Sequence, residues 1–282
     1  MEAKIDVRPS PIAGQWYAAD PRSLASLVDR YIQEAQLPKI EGAVIGVVAP
    51  HAGHRYSGAV AGYAFAALRQ LTPDLVAVVS PMHHPYLQPL LTTAHQAYAT
   101  PLGVLPVDRE ALRALDALLL ETLGFGISPV ANDPEHSLEI ELPFLQRALS
   151  NEFRLLPIMV RDQRSSVARA LGSALAQVLK DHSAVLVAST DLSHFYPHSV
   201  AVVLDREVLR RLEAFDPEGV MRAEEEGKGF ACGRAALAAV LWAAKDLGAN
   251  TVKVLRHATS GDVTGDYGQV VGYAAAVITR KE

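Results

Sequence analysis

Apolar residues in this chain come in short unbroken runs, not in alternation with polar ones. AVIGVVA at 43–49, LVAVVS at 75–80 and AVLVAS at 184–189 are too short for helices and rich in β-branched side chains. That is the pattern of strands buried on both faces. FRLLPIMV at 153–160 predicts a further strand. Between these runs, longer segments of helical composition predict helices at 58–70, 109–121, 164–181, 199–213, 217–225 and 234–246. Residues 137–149 have apolar positions at Leu138, Leu142, Leu145 and Leu149, a helical spacing interrupted by Pro143. Residues 90–106 predict an antiparallel excursion around Thr100-Pro101-Leu102-Gly103. The glycine- and proline-containing stretch 122–134 predicts a loop. Two last strands, near 251–258 and 270–279, flank the loop SGDVTGDYGQ. Strands alternating with helices predict one α/β domain over residues 1–282, with a central, largely parallel or mixed sheet flanked by helices.

Composition narrows the function. Half of the 282 residues are hydrophobic, enough for a substantial core, and the net charge is -5. No basic stripe is present to grip a phosphate backbone, which argues against a nucleic-acid partner. The N-terminus, MEAKIDVRPSP, has no apolar core of the kind a signal peptide needs. No apolar run approaches the ~20 residues that span a bilayer. A lone cysteine, Cys232, fits a reducing compartment, so the expected location is cytoplasmic.

The chemistry lies in where the ten histidines fall. Three predicted strands run into loops that carry His51, His83 and His194. In open α/β sheets, ligands collect beyond the carboxyl ends of the strands, so three imidazoles delivered there make a candidate metal or acid/base site. His83 and His84 are adjacent, and on extended backbone only one of them faces a given side. Cys232 precedes the helix predicted at 234–246, where the helix dipole favours thiolate, the nucleophilic and metal-binding form. Asp191, three residues before His194, is placed to orient that imidazole or to cap a turn. Glu135 and His136 read as first-turn capping groups, and Glu139 and Glu141 as exposed helix residues. Thr190, Ser193, Tyr196 and Tyr267 are candidates for a pocket lining.

Several blocks occur together and in order: Ala13-Gly14-Gln15-Trp16-Tyr17, Ala49-Pro50-His51-Ala52-Gly53, Ser80-Pro81-Met82-His83-His84, Glu135-His136-Ser137-Leu138-Glu139, Ser189-Thr190-Asp191-Leu192-Ser193-His194 and Cys232-Gly233-Arg234, followed by Ser260-Gly261-Asp262 and Val271-Gly272-Tyr273. By these blocks the chain resembles the Memo family, known in prokaryotes as AmmeMemoRadiSam system protein B. The resemblance implies a fold similar to class III extradiol dioxygenases. It implies metal ligands at His51, His83 and Cys232, an acid/base histidine at His194 and Asp191 beside it, and it selects His83 over His84. Copper or iron is the implied ion, with zinc also suited to two imidazoles and a thiolate. Dioxygenases of this class use a carboxylate where Cys232 stands, so ring cleavage is not carried over with the fold. Three functions compete. The first is a copper- or iron-dependent oxidoreductase. The second is a binding scaffold for a small molecule or peptide, working with radical-SAM and Ammecr-type partners. The third is a hydrolase with Cys232 as nucleophile and His194 as base.

Overall fold

A computed structural model describes residues 5–282, so the first four residues of the polar N-terminus lie outside it. The first elements in chain order are β1 (Val7–Arg8), α1 (Pro21–Glu34), β2 (Ala43–Ala49), α2 (His54–Ala66), β3 (Leu75–Pro81), β4 (Leu90–Thr93), β5 (Ala97–Thr100) and β6 (Gly103–Pro106). Next come α3 (Arg109–Leu123), β7 (Ser128–Val130), a 3-10 turn at Glu139–Glu141, α4 (Leu142–Ala148), β8 (Arg154–Val160), α5 (Ser165–Leu179), β9 (Ala184–Ser189) and β10 (His194–Tyr196). The last are α6 (His198–Glu213), α7 (Pro217–Glu225), α8 (Arg234–Asp246), β11 (Thr251–Thr259), α9 (Gly261–Thr264) and β12 (Val270–Arg280).

The four apolar runs form the parallel centre of a mixed sheet, in the order β2-β9-β3-β8. β12 continues the sheet antiparallel beyond β2, and β10 and β11 both pair with β12. On the other side β4 pairs antiparallel with β8, and β7 lies beside β4. The excursion at 90–106 therefore divides. β4 joins the main sheet, while β5 and β6 form an antiparallel hairpin that takes β1 as a third strand. Helix α2 packs on β2, β11 and β12 with α1 outside it; α8 packs on β2, β3, β8 and β9 with α5 outside it. The central strands have helices against them, which is why they are apolar at nearly every position. No described helix is long and apolar enough to cross a membrane.

Three expectations are corrected. Helix α2 starts at His54, not 58, and ends at Ala66. Gly58 and Gly62, one turn apart, sit in its middle because a Cβ at either would collide with Tyr31 of α1, so the glycines mark a close helix contact and not a helix start. Pro143 does not interrupt a helix. It occupies the first turn of α4, where its missing N–H is no loss. Glu139 and Glu141 are not on an exposed face: both are fully buried in the 3-10 turn that precedes α4.

Glu139 is buried because a cation is buried with it. Arg8, 1% exposed, gives Nη1 to Glu139 Oε2 at 2.5 Å and Nε to Asp133 Oδ2 at 2.9 Å. Its Nη2 reaches the carbonyls of Asp133 and Glu135 at 2.9 and 3.0 Å. Ser10 and Tyr17 hydroxyls also donate to Glu139 Oε1. One guanidinium thus ties down residues 133–139. Removing one partner of a buried pair leaves an uncompensated charge, so Arg8→Met is expected to cost about 3–5 kcal/mol in urea denaturation. Glu139→Gln in the same chain should recover part of it. A loss under about 1 kcal/mol would mean that the pair does not anchor this segment.

Candidate metal centre

The parallel strands deliver the site. β2 and β9 are neighbours, and their pairing runs past the strand ends, with Thr190 N donating to Ala49 O at 2.9 Å. His51 follows two residues after β2, and its backbone N–H donates to Asp191 Oδ1 at 2.8 Å. His83 lies two residues beyond β3, with its N–H on Glu135 Oε2 at 2.6 Å. His136 comes from the segment that Arg8 anchors. One donor atom from each of His51, His83 and His136 can lie within 4.8 Å of the other two. The rings of His83 and His136 stack at 4.9 Å between centroids, and Trp16 stacks on the far side of His136 at 4.0 Å.

Cys232 stands at one side of this cluster. Its Sγ is 3.2 Å from His51 Nε2 and accepts from Asp191 N at 3.3 Å. Gly233 makes this possible, since a Cβ there would meet Ser189 O at 2.5 Å and Thr190 Cβ at 2.9 Å. The helix dipole does not make this sulfur a ready thiolate. Burial, followed by the charge of Asp191, pushes the Cys232 thiol up, well above its ordinary value. Without an ion, burial and Asp191 thus oppose the thiolate that the helix start favours.

The backing of the imidazoles fixes their chemistry. Glu135 Oε1 accepts from His83 Nδ1 at 2.9 Å and lies 3.2 Å from His136 Nδ1. His194 Nδ1 donates to Leu192 O at 2.8 Å. Carboxylate and carbonyl oxygens of this kind only accept, so the rings of His83 and His194 carry a proton on Nδ1 and turn Nε2 outward. His51 differs, because its Nδ1 meets the Ser189 hydroxyl, at 2.8 Å. Burial alone would raise the Glu135 carboxyl. The hydrogen bond from His83, the charges of His83 and His136 and the N–H of Ser137 outweigh it and hold the acid well below its usual range. Burial lowers His51 and His194, and it brings His136 down to about 4 against the pull of Glu135. His51, His136 and His194 are therefore neutral near pH 7, as ligands or proton acceptors must be.

Asp191 does not orient His194, whose Nδ1 is taken by Leu192 O; its carboxylate secures the His51 backbone instead. A cavity of about 620 Å³ opens over the cluster and includes His51, His83, His136, Asp191 and His194 in its walls. Trp16, Tyr56, Phe195 and Tyr273 supply its aromatic lining. Phe195 is 69% exposed at the mouth, on backbone with φ 62°. Thr190, Ser193, Tyr196 and Tyr267 are not among the lining residues, and neither is His84. His136 and Glu135, read locally as helix caps, are the residues that sequence reasoning passed over. Their signal was their place in the Glu135-His136-Ser137-Leu138-Glu139 block.

Comparisons with known proteins identify the family. The family described as "Memo-like protein" matches residues 8–277. This chain belongs to the Memo family. The MEMO1 family protein MK0963 of Methanopyrus kandleri is 36% identical, over 97% of this chain and 99% of the relative. A MEMO1 family protein of Nitrosopumilus maritimus is 34% identical, over 95% of this chain and 98% of the relative. Among solved structures, an uncharacterized protein of Escherichia coli K12, JW3007, superposes with a TM-score of 0.56 at 14% identity, over 83% of this chain and all of the other. That likeness is one of fold. In this Memo-family chain the converging side chains all lie within the matched span.

Asp191 gives the site a pH signature. Burial raises its carboxyl from 3.8 to about 7, against the backbone N–H groups of His51 and Ala52 that favour the charged form. A raised acid stabilises the fold fully below its unfolded value and loses that contribution as pH rises through its folded value. Asp191→Asn is uncharged throughout and keeps an oxygen for the His51 N–H. Its stability relative to wild type should therefore climb between pH 4 and 7, by at most about 1.4 kcal/mol for each pH step of one, and level off above. Urea midpoints across this range check it; a flat difference would contradict it.

Proposed function

We propose that this Memo-family chain binds one copper or iron ion on the floor of the pocket and acts as a metal-dependent oxidoreductase on a small molecule or peptide. His51 and His83 are two of the ligands. The observation that carries this reading is the convergence of three imidazole donors within 4.8 Å. Cys232 is the third ligand by the family resemblance, and His136 adds a donor that the resemblance did not name. The Sγ–Nε2 separation of 3.2 Å is close to the ~3.5 Å edge expected between a thiolate and an imidazole on one tetrahedral ion. Three imidazoles and a thiolate are a softer set than two imidazoles and a carboxylate, favouring copper, with iron and zinc able to compete.

A bound ion of this kind supplies Lewis-acid or one-electron chemistry; the chain does the rest. His194 offers Nε2 as proton acceptor to a reactant in the cavity, with its ring held by Leu192 O. Asp191, raised to about 7, can hold or release a proton near neutrality. Trp16, Tyr56 and Phe195 wall the entrance and displace water from an apolar reactant. A Cys232–His194 hydrolase fits less well, because the sulfur pairs with His51.

The exposed aromatic mouth supports a second reading, in which the pocket holds a peptide or small ligand without turnover. Radical-SAM and Ammecr-type proteins are the partners that the resemblance suggests. The lone cysteine, Cys232, suits a reducing compartment and supports the cytoplasmic setting proposed here.

Metal analysis of protein purified under reducing conditions, without a metal affinity column, separates the two readings. The expected result is roughly one copper or iron per chain. The His51→Ala, His83→Ala double variant should lose the ion. Cys232→Ser and His136→Gln should each weaken binding at least about tenfold, the scale on which even outer-shell partners act. Unchanged metal content in the double variant sinks the proposal.

A further inference from the structure

Behind His51 lies a buried chain of polar groups that takes no part in the chemistry proposed for the pocket. Ser189 Oγ is 2.8 Å from His51 Nδ1, 2.7 Å from Ser137 O and 2.8 Å from Glu141 Oε1. Ser189 and Glu141 are both fully buried. A hydroxyl has one proton to give and two lone pairs to receive with. Ser137 O is a carbonyl and can only accept, so the Ser189 proton is committed to it. The other two neighbours must then donate. His51 must carry its proton on Nδ1, and Glu141 must carry one on Oε1.

The opposite assignment leaves contacts unsatisfied. If Ser189 gave its proton to His51, Ser137 O would face an oxygen at 2.7 Å with no hydrogen between them. If Glu141 were ionised, it and Ser137 O would compete for one proton, and a buried charge would lack a full set of donors. Glu141 Oε2 has no hydrogen-bond partner among the described residues. An unpartnered oxygen is far less costly on a neutral acid than on a carboxylate. Burial raises the Glu141 carboxyl well above its ordinary value, with the charge of Asp191 adding to it and the Ser189 contact opposing it.

We propose that Ser189 is a positioning residue that locks His51 in its Nδ1–H form, with its Nε2 lone pair facing the pocket, and that Glu141 is a neutral acid that holds the Ser189 hydroxyl in the required orientation. This deepens the metal-site reading and rests on it for its purpose, since only that tautomer leaves Nε2 free to ligate. It also distinguishes the two strand-end ligands. His83 is backed by a carboxylate, whereas His51 is backed by a neutral hydroxyl–acid pair. The site thus orients two imidazoles while placing only one negative charge directly behind them.

Two measurements on the full chain, stripped of metal, test the proposal. The first is a long-range proton–nitrogen correlation spectrum of nitrogen-15-labelled protein at neutral pH, with His51 assigned by its loss in His51→Asn. A protonated Nδ1 and an unprotonated Nε2 are expected; a proton on Nε2 overturns the lock. In Ser189→Ala the Nδ1–H form should lose its dominance, and in Glu141→Gln, whose amide can donate to Ser189, it should persist. The second is an infrared difference between wild type and Glu141→Gln at pH 8. Loss of a carboxylic-acid carbonyl band is expected, and loss of carboxylate bands instead overturns the neutral acid. The wild-type tautomer spectrum stands even if Ser189→Ala fails to fold. Both readouts are independent of metal, so a chain that shows them and binds no ion refutes the metal reading while leaving the lock intact.

Discussion

Glu135 is the group around which the site is organised. One buried carboxylate receives the backbone and the ring of His83, the N–H groups of His136 and Ser137, and stands beside the His136 ring. A charge taken out of water persists only when donors surround it, and here they are three backbone N–H groups and the His83 ring that it orients. The dependence runs both ways. The donors keep Glu135 ionised, and Glu135 fixes which nitrogen His83 presents to the pocket. Arg8 anchors the segment from behind, so residues at the start of the chain contribute to the placement of a group near its middle.

The two strand-end imidazoles rest on different physics from the other donors. His51 and His83 follow strands of one parallel block, so sheet geometry brings their backbones together before any side-chain contact forms. His136 and Cys232 approach from segments outside that block and need local devices. For His136 these are the Arg8 anchor and the stack on Trp16. For Cys232 it is the missing side chain at Gly233. The sheet sets where the His51 and His83 backbones lie, whereas the placement of the other two side chains depends on single residues.

This division also explains what could be read in advance. The runs at 43–49, 75–80 and 184–189 were legible because burial on both faces writes itself directly into composition, and the histidines beyond them were legible with them. Glu139 and Glu141 were not, because a polar residue in a helical-looking stretch is normally exposed. The cation that buries Glu139 lies 131 residues away. His136 was hidden for the same reason: beside Glu135 it looks like a helix cap, and only the folded chain stacks it on His83. The dipole argument for Cys232 weighed a helix terminus without the burial and the Asp191 charge that oppose it. The missed features depend on long-range pairing, which local periodicity does not encode.

The most direct test is where an added ion comes to rest. Crystals soaked in copper under reducing conditions and measured by anomalous diffraction should show one strong peak in the cavity, about 2.0–2.3 Å from His51 Nε2, His83 Nε2 and the neighbouring donors. A peak bonded through Nδ1 of either ring, or located away from these two histidines, would contradict the account.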